Sequence, residues 1–438
     1  MRSLSKFAHT LQTEFSASNL TRDGFKRYLA NTGWMAFTRI FMMVLSFFVT
    51  IYVIRYLGPH NYGLLSYAVS FVGMFGFIAS MGVDHIVYRE LIKTPDREPE
   101  IMGSALLLRL IGGTVATALA IVAAFIFHQD AIDRLLIVLI SFTLFGGAWQ
   151  VITYSFQARV LAKYPAIITL TIAIILAVAK IAIIALDKGI IFFAFVLVLE
   201  SVLYAVLYVA CYTRHFGSIL KWYIKKETVL EIFYNSLPLL LSTVSIIIYS
   251  RIDQVMLRHY LDAAAVGIYD AAVRLSDVWY IIPNILLASL FPAIMNAQKA
   301  ADASYQSRLK HLAALLLVLS IGVAIPISLF SDTIIHILYG DSYSASSSVL
   351  MIYIWSLAGF SLGQLMNMFL IAEDYTGIYL VSSVSTVAVN VILNIFLIPP
   401  FGVTGAAFAT LISYSLIAVV PLCYPSVRRI LWGRMLPS

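Results

Sequence analysis

Apolar runs of about twenty residues recur along the whole chain, and each is long enough to cross a hydrocarbon core about 30 Å thick as a helix. In that setting a helix satisfies its own backbone N–H and C=O groups, so the runs restrict the chain to a bundle of spanning helices. The 438 residues are 61% hydrophobic and 12% charged, with a mean hydropathy of +0.91. Those values lie far from the range of soluble domains. No stretch of comparable size remains for a soluble unit, so the chain reads as one all-α integral membrane domain.

The runs predict about twelve spans. In the first half they fall near 31–54, 62–83, 101–127, 135–156, 166–186 and 189–212. In the second half they fall near 232–257, 265–295, 312–330, 347–371, 378–398 and 402–423. Pro283 and Pro292 predict a kink in the eighth. An even number puts both termini on one side. Of the 29 Lys and Arg residues, 20 fall on that side, 5 on the other and 4 inside spans. The positive-inside rule then places both termini in the cytoplasm. This division gives a cytoplasmic segment 1–30, an N-lobe 31–213, a linker 214–231, a C-lobe 232–424 and a tail 425–438. The start has no apolar core of signal-peptide length. The net charge of +7 is spread over the loops, which speaks for orientation and against a nucleic-acid partner.

The two halves echo each other. At an offset of 204, Tyr56, Leu57, Gly63, Ala68 and Val69 match Tyr260, Leu261, Gly267, Ala272 and Val273. At an offset of 213, Gly189, Ala194, Phe195, Leu203, Ala205 and Val206 match Gly402, Ala407, Phe408, Leu416, Ala418 and Val419. Both echoes lie six spans apart and in the same order, which predicts a duplicated six-helix unit. Parallel repeats of this kind are related by an axis along the membrane normal, with a central site between two lobes.

Four segments carry a family resemblance. Tyr56-Leu57-Gly58-Pro59 with Tyr62-Gly63, Gly82-Val83-Asp84 and Arg89-Glu90 resembles the opening of the polysaccharide flippases, the Wzx-type O-antigen and capsule translocases of the MOP exporter superfamily. Arg251-Ile252-Asp253-Gln254-Val255-Met256-Leu257 with Gly267-Ile268-Tyr269 is similar to their seventh span and the loop after it. Leu338-Tyr339-Gly340-Asp341-Ser342-Tyr343 resembles their loop before the tenth span. Asn390, Asn394 and the run from Ile398 to Ala407 resemble the join of their last two spans. The resemblance implies a V-shaped, MATE-like bundle of two six-helix lobes related by a pseudo-twofold axis, in a bacterial inner membrane. It also implies a substrate, an oligosaccharide unit on undecaprenyl pyrophosphate moved from the cytoplasmic to the periplasmic leaflet for O-antigen, capsule or exopolysaccharide assembly. A periplasmic polymerase would then consume the product. Two further spans expected of lipid II flippases are missing here.

Cations inside spans are costly and point to function. Arg39, Arg109 and Lys180 have no carboxylate three or four residues away, so pairing within one helix does not neutralise them. One reading lines a cavity with them to hold pyrophosphate or acidic sugars; the other has them snorkel or pair across helices. Arg274 stands between Asp270 and Asp277 at i−4 and i+3, and Arg251 stands beside Asp253. These five cations form the predicted substrate-binding set. Glu200, Asp253, Asp270 and Asp277 are either charge balance or groups that couple transport to Na⁺ or H⁺. Tyr249 and Tyr269 are candidates for stacking on sugars, and Asn390 with Asn394 for interhelical hydrogen bonds.

No HExxH, P-loop or paired-Cys metal spacing occurs, so neither an enzyme nor a cofactor is expected. Cys211 and Cys423 read as inert apolar residues. A cation-coupled multidrug or metabolite antiporter of the same superfamily is the alternative. It would favour acids over arginines in the N-lobe. A non-transporting scaffold fits less well, because no sizeable soluble loop exists.

Overall fold

The computed structural model describes residues 22–299 and 305–432. We number its long helices in chain order. The first half holds α1 (Arg22–Gly73), α2 (Glu98–Phe127), α3 (Ala131–Gly146), α4 (Lys163–Ala185) and α5 (Ile190–Phe216). The second holds α6 (Lys226–Tyr260), α7 (Ala263–Asp277), α8 (Ile281–Lys299), α9 (Tyr305–Leu329), α10 (Ser356–Ala372), α11 (Thr376–Phe401) and α12 (Val403–Val419). Among the described residues, ten helical stretches are long and apolar enough to cross a membrane. One of them, Ile40–Gly73, carries both the first and the second expected span. The expected seventh span lies in α6, outside those ten and with several side chains outside the described residues.

Two breaks set the geometry of the centre. Gly58 leaves the helical region of α1, with φ 68° and ψ 170°. Only glycine adopts that conformation without strain. Pro59 follows, and its fixed φ and missing N–H suit the restart of a helix. The second break is the 3₁₀ turn Val278–Tyr280 between α7 and α8. Pro283 lacks an N–H and crowds the carbonyl four residues back, that of Trp279, so the chain tightens one turn ahead of it. The expected kink is therefore centred before Pro283, while Pro292 stays inside α8.

Apolar packing follows the duplication. One core cluster lies in the first half and the start of α6, around Val83, Met102, Ile152, Ile172 and Ile232. A second lies in the second half, around Leu287, Leu316, Phe369 and Val427. A third straddles both, setting Ile54, Leu57, Tyr62 and Ala68 against Ala263, Val266, Tyr269 and Ala272.

The repeat-matched glycines meet at this straddling seam. A Cβ on Gly63 would lie 1.7 Å from the carbonyl oxygen of Ala263, and one on Gly267 would lie 2.1 Å from that of Pro59. The two backbones thus touch at residues matched by the repeat, which small residues permit. The other matched pair, Gly189 and Gly402, immediately precedes α5 and α12 respectively.

Polar bonds knit the same end. Arg258 of α6 pairs with Asp133 of α3 at 2.7 Å, and Tyr343 donates to the carbonyl of Ile54 at 2.9 Å. At the opposite end the segment between α5 and α6 is strapped to the start of α2. Tyr223 donates to Glu100 at 3.2 Å, Arg97 donates to Thr228 at 3.1 Å, and Thr228 donates to Glu100.

Adding a methyl at the seam should open it. We expect Gly63→Ala or Gly267→Ala to cost about 1–3 kcal/mol, as overpacked cores do. Gly76→Ala, whose Cβ meets nothing within 4 Å, should be neutral. Thermal unfolding of the detergent-purified variants, followed by fluorescence-detected size exclusion, reads the difference.

Candidate functional site

Asp270 is the buried centre of the seam. Its Oδ2 accepts from Tyr62 at 2.5 Å and from Arg274 Nε at 2.9 Å, and its Oδ1 accepts from Gln254 at 2.7 Å. Ser70 donates to Gln254, and Arg274 Nε also donates to the Tyr62 hydroxyl at 2.6 Å. Three helices, α1, α6 and α7, therefore converge on one carboxylate. The i,i+4 spacing on α7 brings Arg274 to it, and the reversal at Gly58 brings Tyr62. Only the Nε of Arg274 is used in this cluster; its two terminal nitrogens have no partner among the described residues.

Those nitrogens belong to a side chain that lines a cavity of about 490 Å³ between the two halves. Its walls include Met42, Ser46 and Thr50 of α1 on one side, and Arg274, Asp277 and Asn284 on the other. A second cavity, about 160 Å³, shares Met42 and Ser46 with the first and ends on Lys180 and Glu200. A third, about 400 Å³, shares Asn284 and lies in the second half against Tyr249, Gln364 and Asn367. The three form a row with charge at one end and in the middle, and neutral polar groups at the other. Such concave, partly apolar sites with a few convergent polar groups are where ligands bind.

The expected cations separate. Arg274 and Lys180 line the row of cavities. Arg109 does not. Its side chain is 7% exposed, against 42% for Arg274. It pairs with Asp84 and donates to the carbonyl of Gly147 at 3.0 Å. It stands apart from these cavities and ties α2 to the short helix Asp84–Lys93. Arg251 is also outside the walls; its Nε lies 3.9 Å from where a Cβ on Gly73 would sit. Arg39 lies on α1, and its side chain falls outside the described residues.

The acids separate too. Asp277 lines the central cavity and Glu200 the small one. The expected acid–base–acid ladder closes on one side only, because Arg274 turns its Nε to Asp270 and leaves Asp277 facing open space. The cavities thus hold two cations and two acids, one of each from either half. Asp253 is buried away from them. It accepts from Tyr269 and Asn394 at 2.7 Å each and from Thr410, joining α6 to α7, α11 and α12. Tyr269 is spent in that cluster, whereas Tyr249 lines the third cavity. Asn394 donates to Asn390 at 3.2 Å. Tyr62, Gln254, Asn284, Gln364 and Asn367 were not legible as site residues, since uncharged groups in apolar runs give no periodic or charge signal.

Comparison with known proteins bears on the family and the fold. A family model described as polysaccharide biosynthesis protein matches residues 28–298. The chain is 27% identical over 179 residues to the probable low-salt glycan biosynthesis flippase Agl15 of Haloferax volcanii, covering 41% of this chain and 38% of that one. It is 31% identical over 175 residues to the probable flippase AglR of the same organism, covering 38% and 36%. The matches therefore span under two fifths of those relatives' length. Among solved structures, the fold matches an inward-facing multidrug resistance MATE family transporter of the MOP superfamily with a TM-score of 0.71 at 17% identity, covering 90% of this chain and 93% of that one. It matches the lipid II flippase MurJ in an inward closed conformation with a TM-score of 0.67 at 16% identity, covering 88% and 86%. With the model covering more than half of its length, the chain belongs to the polysaccharide biosynthesis protein family, a multi-pass membrane protein with the fold of MATE and MurJ.

Proposed function

We propose that this protein is a flippase that moves oligosaccharide units linked to undecaprenyl pyrophosphate from the cytoplasmic to the periplasmic leaflet by alternating access. The observation that carries the reading is the guanidinium of Arg274. Its Nε is held by Asp270 and Tyr62, its two terminal nitrogens have no partner among the described residues, and its side chain lines a cavity between the two halves. A planar fork fixed in this way suits the oxygens of a pyrophosphate. Lys180 adds a second cation along the same row. Family membership and the glycan flippases among its relatives support the class of cargo.

The seam is knit at the Gly58 end, and the positive-inside distribution puts that end outside. The headgroup would thus load from the cytoplasmic side while the prenyl tail stays in lipid. Rocking of the halves about the glycine contact would then turn the cavity outward, with a periplasmic polymerase drawing off the product.

Coupling to an ion falls to Asp253. Its donor set fits a small hard cation: a buried carboxylate, the Thr410 hydroxyl, and an Asn394 Oδ1 that has no partner among the described residues. Oxygen ligands of this kind suit Na⁺ chemistry by the same logic as other hard cations. If so, NaCl should raise the melting temperature of the purified protein relative to choline chloride, and Asp253→Asn should abolish that difference. An equal response of both proteins to NaCl would remove Asp253 from the coupling role.

The antiporter reading draws on Asp277 and Glu200, which give the cavities as many acids as cations. Lipid extracts separate the two. In cells carrying only Arg274→Lys, which keeps a charge beside Asp270 but loses the fork, we expect complete lipid-linked repeat units to accumulate about tenfold, the scale of one lost charge-assisted bond. Arg109→Met should instead lower the amount of folded protein while leaving transport per folded molecule intact. Normal surface polymer with Arg274→Lys and with Arg274→Glu, together with new sensitivity to cationic drugs on depletion, would hand the case to the antiporter.

A further inference from the structure

We infer that the 400 Å³ cavity of the second half is a subsite for uncharged sugar residues of the glycan, an inference that rests on the flippase reading above. The cavity meets the Arg274 cavity at Asn284, whose side chain lines both. A pyrophosphate on the guanidinium therefore has its first sugars next to this opening. No charged side chain lines the cavity among the described residues.

What lines it instead is a set of unspent neutral groups. The amides of Asn284, Gln364 and Asn367 and the phenols of Tyr249 and Tyr379 have no hydrogen-bond partner within the described protein. The Oδ1 of Asn367 is buried as well as unpartnered. Polar groups are normally satisfied, so these half-buried groups around a buried Asn367 Oδ1 offer a seat to a partner that brings its own donors and acceptors. Sugar hydroxyls are both, and a side-chain amide offers both in return. Prenyl chains have neither.

Aromatic rings complete the chemistry. Tyr280 and Phe360 stack with centroids 4.4 Å apart and planes 10° apart. Tyr280 faces the central cavity and Phe360 the third, so the stack is the partition between the anion seat and the neutral one. Tyr249 is held edge-on by Tyr414 at 5.6 Å, which fixes its ring beside the amides. Apolar ring faces suit the C–H faces of a pyranose, while the phenol reaches its hydroxyls. A uronic acid placed here would lose hydration with no cation to replace it, and a cationic drug would lose it with no anion.

The test uses full-length protein in nanodiscs and three probes: citronellyl pyrophosphate, its N-acetylglucosamine conjugate and its glucuronic acid conjugate. Dissociation constants come from calorimetry. We expect the neutral sugar to tighten binding about tenfold over the bare pyrophosphate, and the acidic sugar to add nothing. Asn367→Ala should remove the neutral increment while leaving the bare probe's affinity unchanged. Tyr249→Phe, a smaller change, should reduce the increment if Asn367→Ala fails to fold. Equal affinity of the bare and neutral probes, or a tighter acidic probe, would overturn the subsite. A bare probe that does not bind, or that binds Arg274→Lys as well as wild type, would overturn the flippase reading together with it.

Discussion

The carboxylate of Asp270 is the point on which the centre of the molecule depends. A buried charge is tolerable only when paired and hydrogen-bonded, and Asp270 draws its partners from both halves: Tyr62 from the first, Arg274 and Gln254 from the second. Satisfying one acid thereby docks α1 on α7 and fixes α6 alongside. It also anchors Arg274 at the cavity wall, because the bond to Nε leaves the terminal nitrogens of a cavity-lining side chain unspent. The glycine contact works at the same seam by a different means. It lets two backbones touch, inside the apolar cluster that straddles both halves, so polar bonds and apolar packing share one seam.

That arrangement joins packing to transport. The seam is held at the end where Arg258 meets Asp133 and Tyr343 meets Ile54. Any opening at that end must part those bonds and the Asp270 cluster together. Arg274 belongs both to the cluster and to the cavity wall, so an anion that draws on its terminal nitrogens acts on the group that helps hold the seam shut. The row of cavities then has a chemical order, from Lys180 through Arg274 to the amides beyond Asn284. A cargo with a charged linkage and a neutral head fits that order better than a compact cation.

Much of the helical architecture was legible in the sequence, because spanning length is a local property. The offset of 204 that pairs Gly63 with Gly267 predicted a repeat, and the two residues stand in contact. Their contact itself was not legible, since an offset gives equivalence and not distance. The charges show where reading stops. Arg274 could be tied to Asp270 because i,i+4 spacing places them on one face. Arg109 could not be tied to Asp84, which lies on another helix that only the tertiary fold brings near. The rotation of a helix about its axis decides whether a cation faces a cavity or a neighbour, and apolar runs without amphipathic bias do not encode it. The amides of Gln364 and Asn367 carry no charge to draw attention, and their role depends on a cavity that the sequence does not outline.

The most direct measurement is translocation by the purified protein in sealed liposomes. Short-chain pyrophosphate-linked N-acetylglucosamine would be loaded on one face, and its arrival on the other read by a galactosyltransferase that labels only exposed sugar. Transfer that requires the protein and falls about tenfold in Arg274→Lys, on the scale of one charge-assisted contact, is the expected outcome. Transfer at the same rate in empty liposomes, or undiminished by Arg274→Lys and Arg274→Glu, would mean that the cavity between the halves does not carry the glycan.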